Sequence, residues 1–362
     1  MVKIEKRYLL LTLFTLFILY LFIAVQPVPM ETVLTPRWIS SLESNYPVSL
    51  SPETPEADTA DLFPFTLGNR FGYIGGDGKY SVNQIKKGGV SISEDHWAEY
   101  EAVPESIEVR GPQNTLITRI TEAAGYPLFL DGKIFLVNDD QTALHALSGE
   151  GKLLWTYEFA AIITDVDAAA GLVLAGFLDG TVELLNEAGK RVFFFEPGGS
   201  RYPAIYSCRI SRDGSKLAVI AGYDDQRFLF LERSGGSYKV AYHEFLSGGF
   251  NREVYMAFID HDRRIVFERE GGLEIFTIAG RGKTVIPLEG SVIALDNSGE
   301  DRLLFVISSL TSIRKKLVGI RFPGTVIMEA PFMSGDVFLK RKGKRLYIGG
   351  GGSLASFELH RR

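Results

Sequence analysis

Charged residues recur at one position of a repeated pattern along this chain. Asp139, Asp140, Asp179, Asp224, Asp225, Glu268 and Glu270 fall at or beside short turns between apolar runs. Arg314, Lys315 and Lys316 stand at the equivalent point further on. If these turns share a face, one arc of it is acidic and the next is basic. Such a rim would steer a charged partner or bind a cation. The plainer reading is that turns are polar because their backbone stays hydrated.

Other candidate chemistry is weaker. Asp260-His261-Asp262 has metal-ligating types, but Arg263 and Arg264 beside it oppose a divalent ion, so a polar turn is the better reading. Cys208 is the one cysteine, which excludes an intrachain disulfide and Cys₂His₂ or Cys₄ zinc sites. It lies in AIYSCRIS, an alternating strand, as expected of a buried core thiol. Gly280-Arg281-Gly282-Lys283-Thr284 ends like a phosphate-binding loop, but position 277 is Thr277 rather than glycine, and no helix pattern follows. Gly75-Gly76-Asp77-Gly78 sits in no βαβ unit. His96, His145, His243, His261 and His360 show no ligand spacing, and no Gly-x-Ser-x-Gly elbow occurs. No catalytic, cofactor or metal site is read. A formal net charge of −5 and a pI of about 5.7 argue against a general nucleic-acid binder.

The elements that must position the rim are short strands. From Asp131 to Phe159 the chain reads as three strands joined by turns at Asn138–Gln141 and Ser148–Gly151. The plan recurs. Gly/Asp/basic turns precede strands at Ile134–Val137, Leu172–Ala175, Leu217–Ile220, Ile265–Phe267, Leu303–Ile307 and Leu346–Ile348, spaced by roughly 38 to 48 residues. That is the period of four-stranded propeller blades. Six units are clear from Tyr126 on, and residues 66–120 supply one more. The expected fold is therefore an all-β propeller of seven four-stranded blades, with six or eight left open. The last unit holds three strands, so its outer strand must come from the other end of the domain, with Phe63–Leu67 as the candidate.

Gly132 and the run Leu144-His145-Ala146-Leu147-Ser148-Gly149-Glu150-Gly151-Lys152-Leu153-Leu154-Trp155 resemble a quinoprotein-type (PQQ-like) propeller repeat. Gly171 to Phe195 is a weaker copy, and SRDGSKLAV, Ser211 to Val219, is similar to a WD40-like form. The resemblance implies that Trp155 packs on the adjoining blade. It also implies either a quinone-dependent dehydrogenase or a non-enzymatic scaffold, the latter kind including an outer-membrane assembly lipoprotein. The vicinal cysteine pair of many such dehydrogenases and the lipoprotein cysteine are both absent.

Ahead of the repeats, residues 1–7 are a basic flank with Lys3, Lys6 and Arg7. Tyr8 to Val25 follows without charge, Gly or Pro; as a helix it would be about 27 Å long, near a bilayer's hydrocarbon thickness. The expectation is an uncleaved transmembrane signal anchor with a cytoplasmic N-terminus and the propeller extracytoplasmic, periplasmic in a diderm bacterium. Residues 26–62, with Pro27, Pro29, Pro36, Pro47, Pro52 and Pro55 and the acidic run Ser51 to Asp61, read as a spacer. Trp38-Ile39 within it reads as linker, with an interfacial anchor or docking site as the alternative. Residues 63–362 form the propeller domain. The expected function is a protein-interaction scaffold in cell-envelope assembly, bound to the membrane and to an envelope protein, with no cofactor. The alternative is a propeller enzyme, a small-molecule oxidoreductase or hydrolase, with its site at the mouth of the central channel.

Overall fold

Within each repeat the second strand is apolar on both sides. Lys133–Val137, Leu172–Phe177, Lys216–Ala221, Arg264–Arg269 and Leu303–Ser309 are buried almost along their length. Outer strands such as Leu153–Glu158 and Arg191–Phe195 instead alternate or face solvent. A strand buried on both faces needs a sheet on either side, so the units stack around a ring. Tight turns end the strands, and several need left-handed backbone: Gly132 (φ 70°), Gly180 (φ 85°) and the successive Asp260, His261 and Asp262 (φ 54°, 56° and 57°).

The computed structural model describes residues 6–24, 32–44, 47–50, 62–121, 124–296 and 302–361. They form eight antiparallel sheets, not the seven expected. The six second strands read from the sequence all lie where placed, in the third to eighth blades. The missing blade came from residues 63–121, which hold two sheets. The first is Phe63–Leu67, Arg70–Ile74 and Tyr80–Ile85. The second is Gly89–Ile92, Trp97–Tyr100, Ser106–Arg110 and Leu116–Thr121. Their strands are short, and Ser93–His96 has neither the glycine nor the Lys or Arg of the turns that mark the later blades.

Eight apolar clusters match the eight sheets, each made by two neighbours. Phe71, Tyr73 and Val82 pack on Trp97 between the first and second blades. Leu174, Val182 and Leu184 pack on Cys208, Val219 and Leu229 between the fourth and fifth. Trp38, Tyr347 and Leu354 pack on Phe63, Phe65 and Ile74 between the eighth and first. The core is thus divided among the interfaces around the ring.

Closure comes from the stretch expected to be a spacer. Thr32–Ser41 pairs with Ser353–Arg361 from Thr32↔Arg361 to Ser41↔Ser353, with a bulge between Pro36 and Trp38. Proline lacks an N–H, and a bulge is where a sheet tolerates it. Phe63–Leu67, expected to close the ring, belongs to the first blade. Trp38 is a core residue, 2% exposed, whose indole N–H donates to Gly76 O at 2.9 Å. The acidic Ser51 to Asp61 run lies outside the described residues.

The first blade has a further peculiarity. The first strands of the fourth and fifth blades run parallel: Cys208 and Ile210 donate their N–H groups to Asp165 and Asp167 in sequence order. Phe63–Leu67 runs against Val337–Lys342 instead. Lys342 reaches Leu62 O at one end, and Gly68 meets Asp336 at the other. It has the sense of a second strand, which brings the Gly68-Asn69 turn to the face carrying the turns between second and third strands.

Lys6–Ala24 forms a 19-residue helix. Among the described residues no helix is long and apolar enough to cross a membrane, which overturns the expected membrane-spanning segment. Lys6 and Arg7 occupy its first turn, and the uncharged remainder, Tyr8 to Ala24, is about 26 Å long against a core of roughly 30 Å.

Trp38→Ala is expected to destabilise the ring by about 3–5 kcal/mol, through lost burial and a cavity at the closing interface. Trp38→Phe, which keeps a ring there but loses the hydrogen bond to Gly76, should cost only about 1 kcal/mol. Urea unfolding midpoints of the two variants decide this. Wild-type midpoints in both variants would mean that closure does not depend on this side chain.

Candidate functional site

The turns between second and third strands, together with the connectors between blades, form one face of the ring, here called the upper face. In the third blade Asn138 Oδ1 accepts the N–H groups of Thr142 and Ala143, both at 2.8 Å. Asp139 and Asp140 are left exposed at the tip. In the fourth, Asp179 is exposed and its Oδ1 accepts the N–H (2.9 Å) and hydroxyl (2.7 Å) of Thr181. In the fifth, Asp225 is exposed, while Asp224 accepts from Ser200 and from Arg201. Chiefly through the Ser200 hydroxyl, the Asp224 carboxyl is held well below the usual carboxylate range. In the sixth, Glu270 is exposed beside Gly271.

Three of the sequence-selected residues do not join this rim. Glu268 is 2% exposed; it takes two hydrogen bonds from Arg252, at 2.9 and 2.7 Å, and the N–H of Val292 at 3.1 Å. It binds the sixth blade to the seventh. Lys315 is buried, and its ammonium donates to Ser309 Oγ, Thr311 O and Ser312 O at 2.8–3.0 Å, folding its own turn. Lys316 pairs with Glu289 (3.1 Å) and Glu329 (3.5 Å). Of the expected basic arc only the Arg314 side chain remains exposed. The acidic arc over four blades is present, without a basic counterpart of equal weight.

Sequence reasoning missed the apolar part of this face. Leu178 (53% exposed), Tyr202 (63%) and Tyr223 (51%) stand out from it, with Ile162 and Tyr255 also exposed. Ile162, Leu178, Tyr202 and Tyr223 lie on segments that adjoin one another. Leu178 N–H donates to Ile162 O and Tyr223 N–H to Tyr202 O, both at 2.9 Å. The Tyr202 and Tyr223 rings meet edge-on, 6.3 Å between centroids. Gly180 abuts Pro203 so closely that a Cβ would lie 2.2 Å from its carbonyl oxygen. The available signal was two tyrosines and a leucine in Gly/Ser/Pro/Asp segments, where no strand period requires them.

Among the described residues, concavities open on both faces of the ring. A cleft of about 580 Å³ lies at the closing seam of the upper face, walled by Ser41, Glu43, Asn69, Arg70, Asp336 and Ser353. Another of about 370 Å³ opens on the lower face between the third and fourth blades, walled by Phe135, Leu154, Trp155 and the Lys133–Glu187 ion pair. There the Trp155 indole donates to Glu187 O at 2.9 Å, so this tryptophan does pack across to the adjoining blade.

Toward the centre, the first-strand carboxylates have structural partners. Asp165 accepts the Cys208 N–H at 2.8 Å and pairs with Arg209. Asp167 accepts the N–H of Ile210 at 2.9 Å, and burial pushes its carboxyl up. Asp296 accepts the Arg341 N–H at 2.8 Å. Cys208 is fully buried, and burial pushes its thiol up, away from the nucleophilic thiolate. Asp260 is buried between Arg263 and Arg264, and Asp262 accepts the N–H of Arg212 at 2.9 Å. Among the described residues no group of three or more His, Cys, Asp or Glu is placed to hold a metal.

Comparisons with known proteins agree with this geometry. Residues 1–361 match the model of a family described as beta-propeller protein. An uncharacterized protein of Treponema pallidum (strain Nichols) is 28% identical over 233 residues, 62% of this chain and 60% of that one. Among solved structures, BamB from Moraxella catarrhalis superposes with a TM-score of 0.60 at 15% identity, over 90% of this chain and all of that one. The computationally designed Ika8 protein gives 0.59 at 14%, over 83% and 97%. Dihydro-heme d1 dehydrogenase NirN gives 0.52 at 13%, over 71% and 58%. At these identities the likeness establishes the propeller fold. The PQQ-like and WD40-like repeat types are not established by it.

One buried carboxyl, that of Glu274, is pushed into an accessible range by its surroundings. Glu244, on the outer strand of the fifth blade, faces Glu274, on the third strand of the sixth. Glu274 is fully buried and takes a hydrogen bond from Arg269 at 2.5 Å, while its Oε1 and that of Glu244 are both buried with no donor from any other group. Glu244 also receives Lys283 and, at 3.2 Å, the Tyr242 hydroxyl. Two carboxyl groups can hydrogen-bond only if one keeps its proton. Burial first, then Glu244, pushes the Glu274 carboxyl up to about 7 from an ordinary 4.5. The folded chain therefore binds this proton more tightly than the unfolded chain does. Stability contributed by the proton is full below about pH 4.5 and is lost as pH rises through about 7. Urea midpoints measured from pH 5 to 8 should fall with pH in the wild type and flatten in Glu274→Gln. Parallel slopes would place the proton elsewhere.

Proposed function

The chain belongs to the beta-propeller protein family, and we propose that within it the protein is a non-enzymatic interaction scaffold acting in cell-envelope assembly. The observation that carries this reading is the likeness to BamB over 90% of this chain and the whole of that one. It favours the scaffold over the dehydrogenase of the two kinds implied by the repeat resemblance. The NirN likeness covers only 58% of that chain. The inner carboxylates support the same reading, since Asp165, Glu268 and Asp296 are held by hydrogen bonds between blades. The docking face is the upper one, where Asp139, Asp140, Asp179 and Asp225 are exposed beside apolar side chains on adjoining segments. The expected partner is an envelope protein.

Cross-linking in intact cells of the source organism, with the tagged full-length chain and mass spectrometry of what it captures, tests the reading. A recurrent envelope protein is expected, with its yield reduced at least about tenfold when Asp139, Asp140 and Asp225 are reversed to Lys. Capture unaffected by the reversals keeps the scaffold and rejects the upper face. Nothing recurrent above a tag-only control rejects the scaffold.

A further inference from the structure

The apolar and charged groups of the upper face follow an order around the ring. Asp139 and Asp140 lead on the third blade, and the adjacent Gln141 O accepts the Ile163 N–H at 2.8 Å. Ile162 and Leu178 come next, with Asp179 beside them. Tyr202 and Tyr223 follow, joined through Pro203 and Gly180. Asp225 and then Glu270 complete the arc, Glu270 lying against Gly248 of the connector that leaves the fifth blade. Asp224 does not contribute a free charge, because Arg201 and Ser200 hold it.

Three large apolar side chains more than half exposed, on adjoining segments, are unusual on a surface with no partner. Tyrosine is moreover the residue type that interfaces favour, since it buries a large rigid body and keeps a polar tip. The carboxylates at either end of the patch select against an acidic occupant and raise the encounter rate of a basic one. The order crosses three blade boundaries, from the third blade to the sixth, a course that an extended chain can follow.

From this order we propose that the upper face binds an extended peptide segment with lysine or arginine on both sides of an aromatic or long aliphatic anchor. The anchor packs among Leu178, Tyr202 and Tyr223. The cations meet Asp139 and Asp140 at one end and Asp225 and Glu270 at the other. This deepens the scaffold reading and rests on it for the face, but it concerns only the chemistry of the occupant.

The test is a selection of random 12-residue peptides displayed on phage against the immobilised full-length chain. Selected peptides are then measured by fluorescence anisotropy. Enrichment of basic–apolar–basic sequences is expected, with affinity falling as salt rises. Tyr202→Ala/Tyr223→Ala should weaken the selected peptide at least about tenfold. Asp139→Asn/Asp140→Asn/Asp225→Asn should weaken it and flatten its salt dependence. Leu178→Ser, a single exposed change, serves if the double variant has a lowered melting temperature. Failure to enrich any peptide, enrichment of neutral or acidic peptides, or binding indifferent to these variants overturns the proposal. If an envelope protein is captured in cells while no such peptide is selected, the scaffold stands and this occupant falls. Selection of the peptides with no partner captured gives the reverse.

Discussion

A blade of this ring has two apolar faces and so cannot stand alone. Each cluster of core residues is completed by the neighbour: Phe267 and Phe276 of the sixth blade pack with Phe228 and Phe230 of the fifth. Burial at roughly 25 cal/mol per Å² accrues only when both partners are present. The requirement passes from blade to blade until it returns to its start, and that is why Thr32–Ser41 must pair with Ser353–Arg361. Without this pairing the last blade would expose a strand edge, and the first would have Phe63, Phe65 and Ile74 uncovered.

Charge placement obeys the same constraint. Carboxylates on inner strands accept backbone N–H groups from the next blade, as Asp165, Asp167 and Asp296 do. A buried carboxylate that satisfies a neighbour's backbone fixes the register between sheets, which apolar packing alone leaves loose. The consequence is a division of labour. Acidic groups inside the ring hold blades together, while those at the turn tips of the upper face stay in solvent beside the tyrosines. Composition does not distinguish the two sets; position in the blade does.

Much of this was legible in the sequence, and the rest was hidden for physical reasons. The second strands of six blades are marked by long apolar runs after Gly/Asp turns, because they are buried on both faces and need left-handed corners. Of the first two blades only one was read, because their strands are short and the turn at Ser93–His96 carries no glycine to mark a second. The closing strand escaped because Pro36 and its polar neighbours look like a linker; only pairing with a strand at the far end of the chain makes them a sheet. Asp139 and Glu268 both sit close to a turn between second and third strands, yet one is exposed and the other buried. A shift of two residues from tip to strand end decides that, and local sequence does not specify it. Tyr202 and Tyr223 share a patch only because the connector into the fifth blade folds against that blade's own turn.

The closing pair also sets an order in time. Arg37 and Glu358, which bond across it, are 321 residues apart in the chain. At a synthesis rate of about 5–20 residues per second, the earlier strand waits on the order of tens of seconds for its partner to be made. Through that interval Trp38 lacks Tyr347 and Leu354, the eighth-blade half of its interface, and the blades already formed have one apolar face open. Contacts this distant are also slow to find once the chain is complete. For this ring the interval before the last strand arrives is when a holding chaperone would matter most, and after closure Ser353–Arg361 is paired along both of its edges.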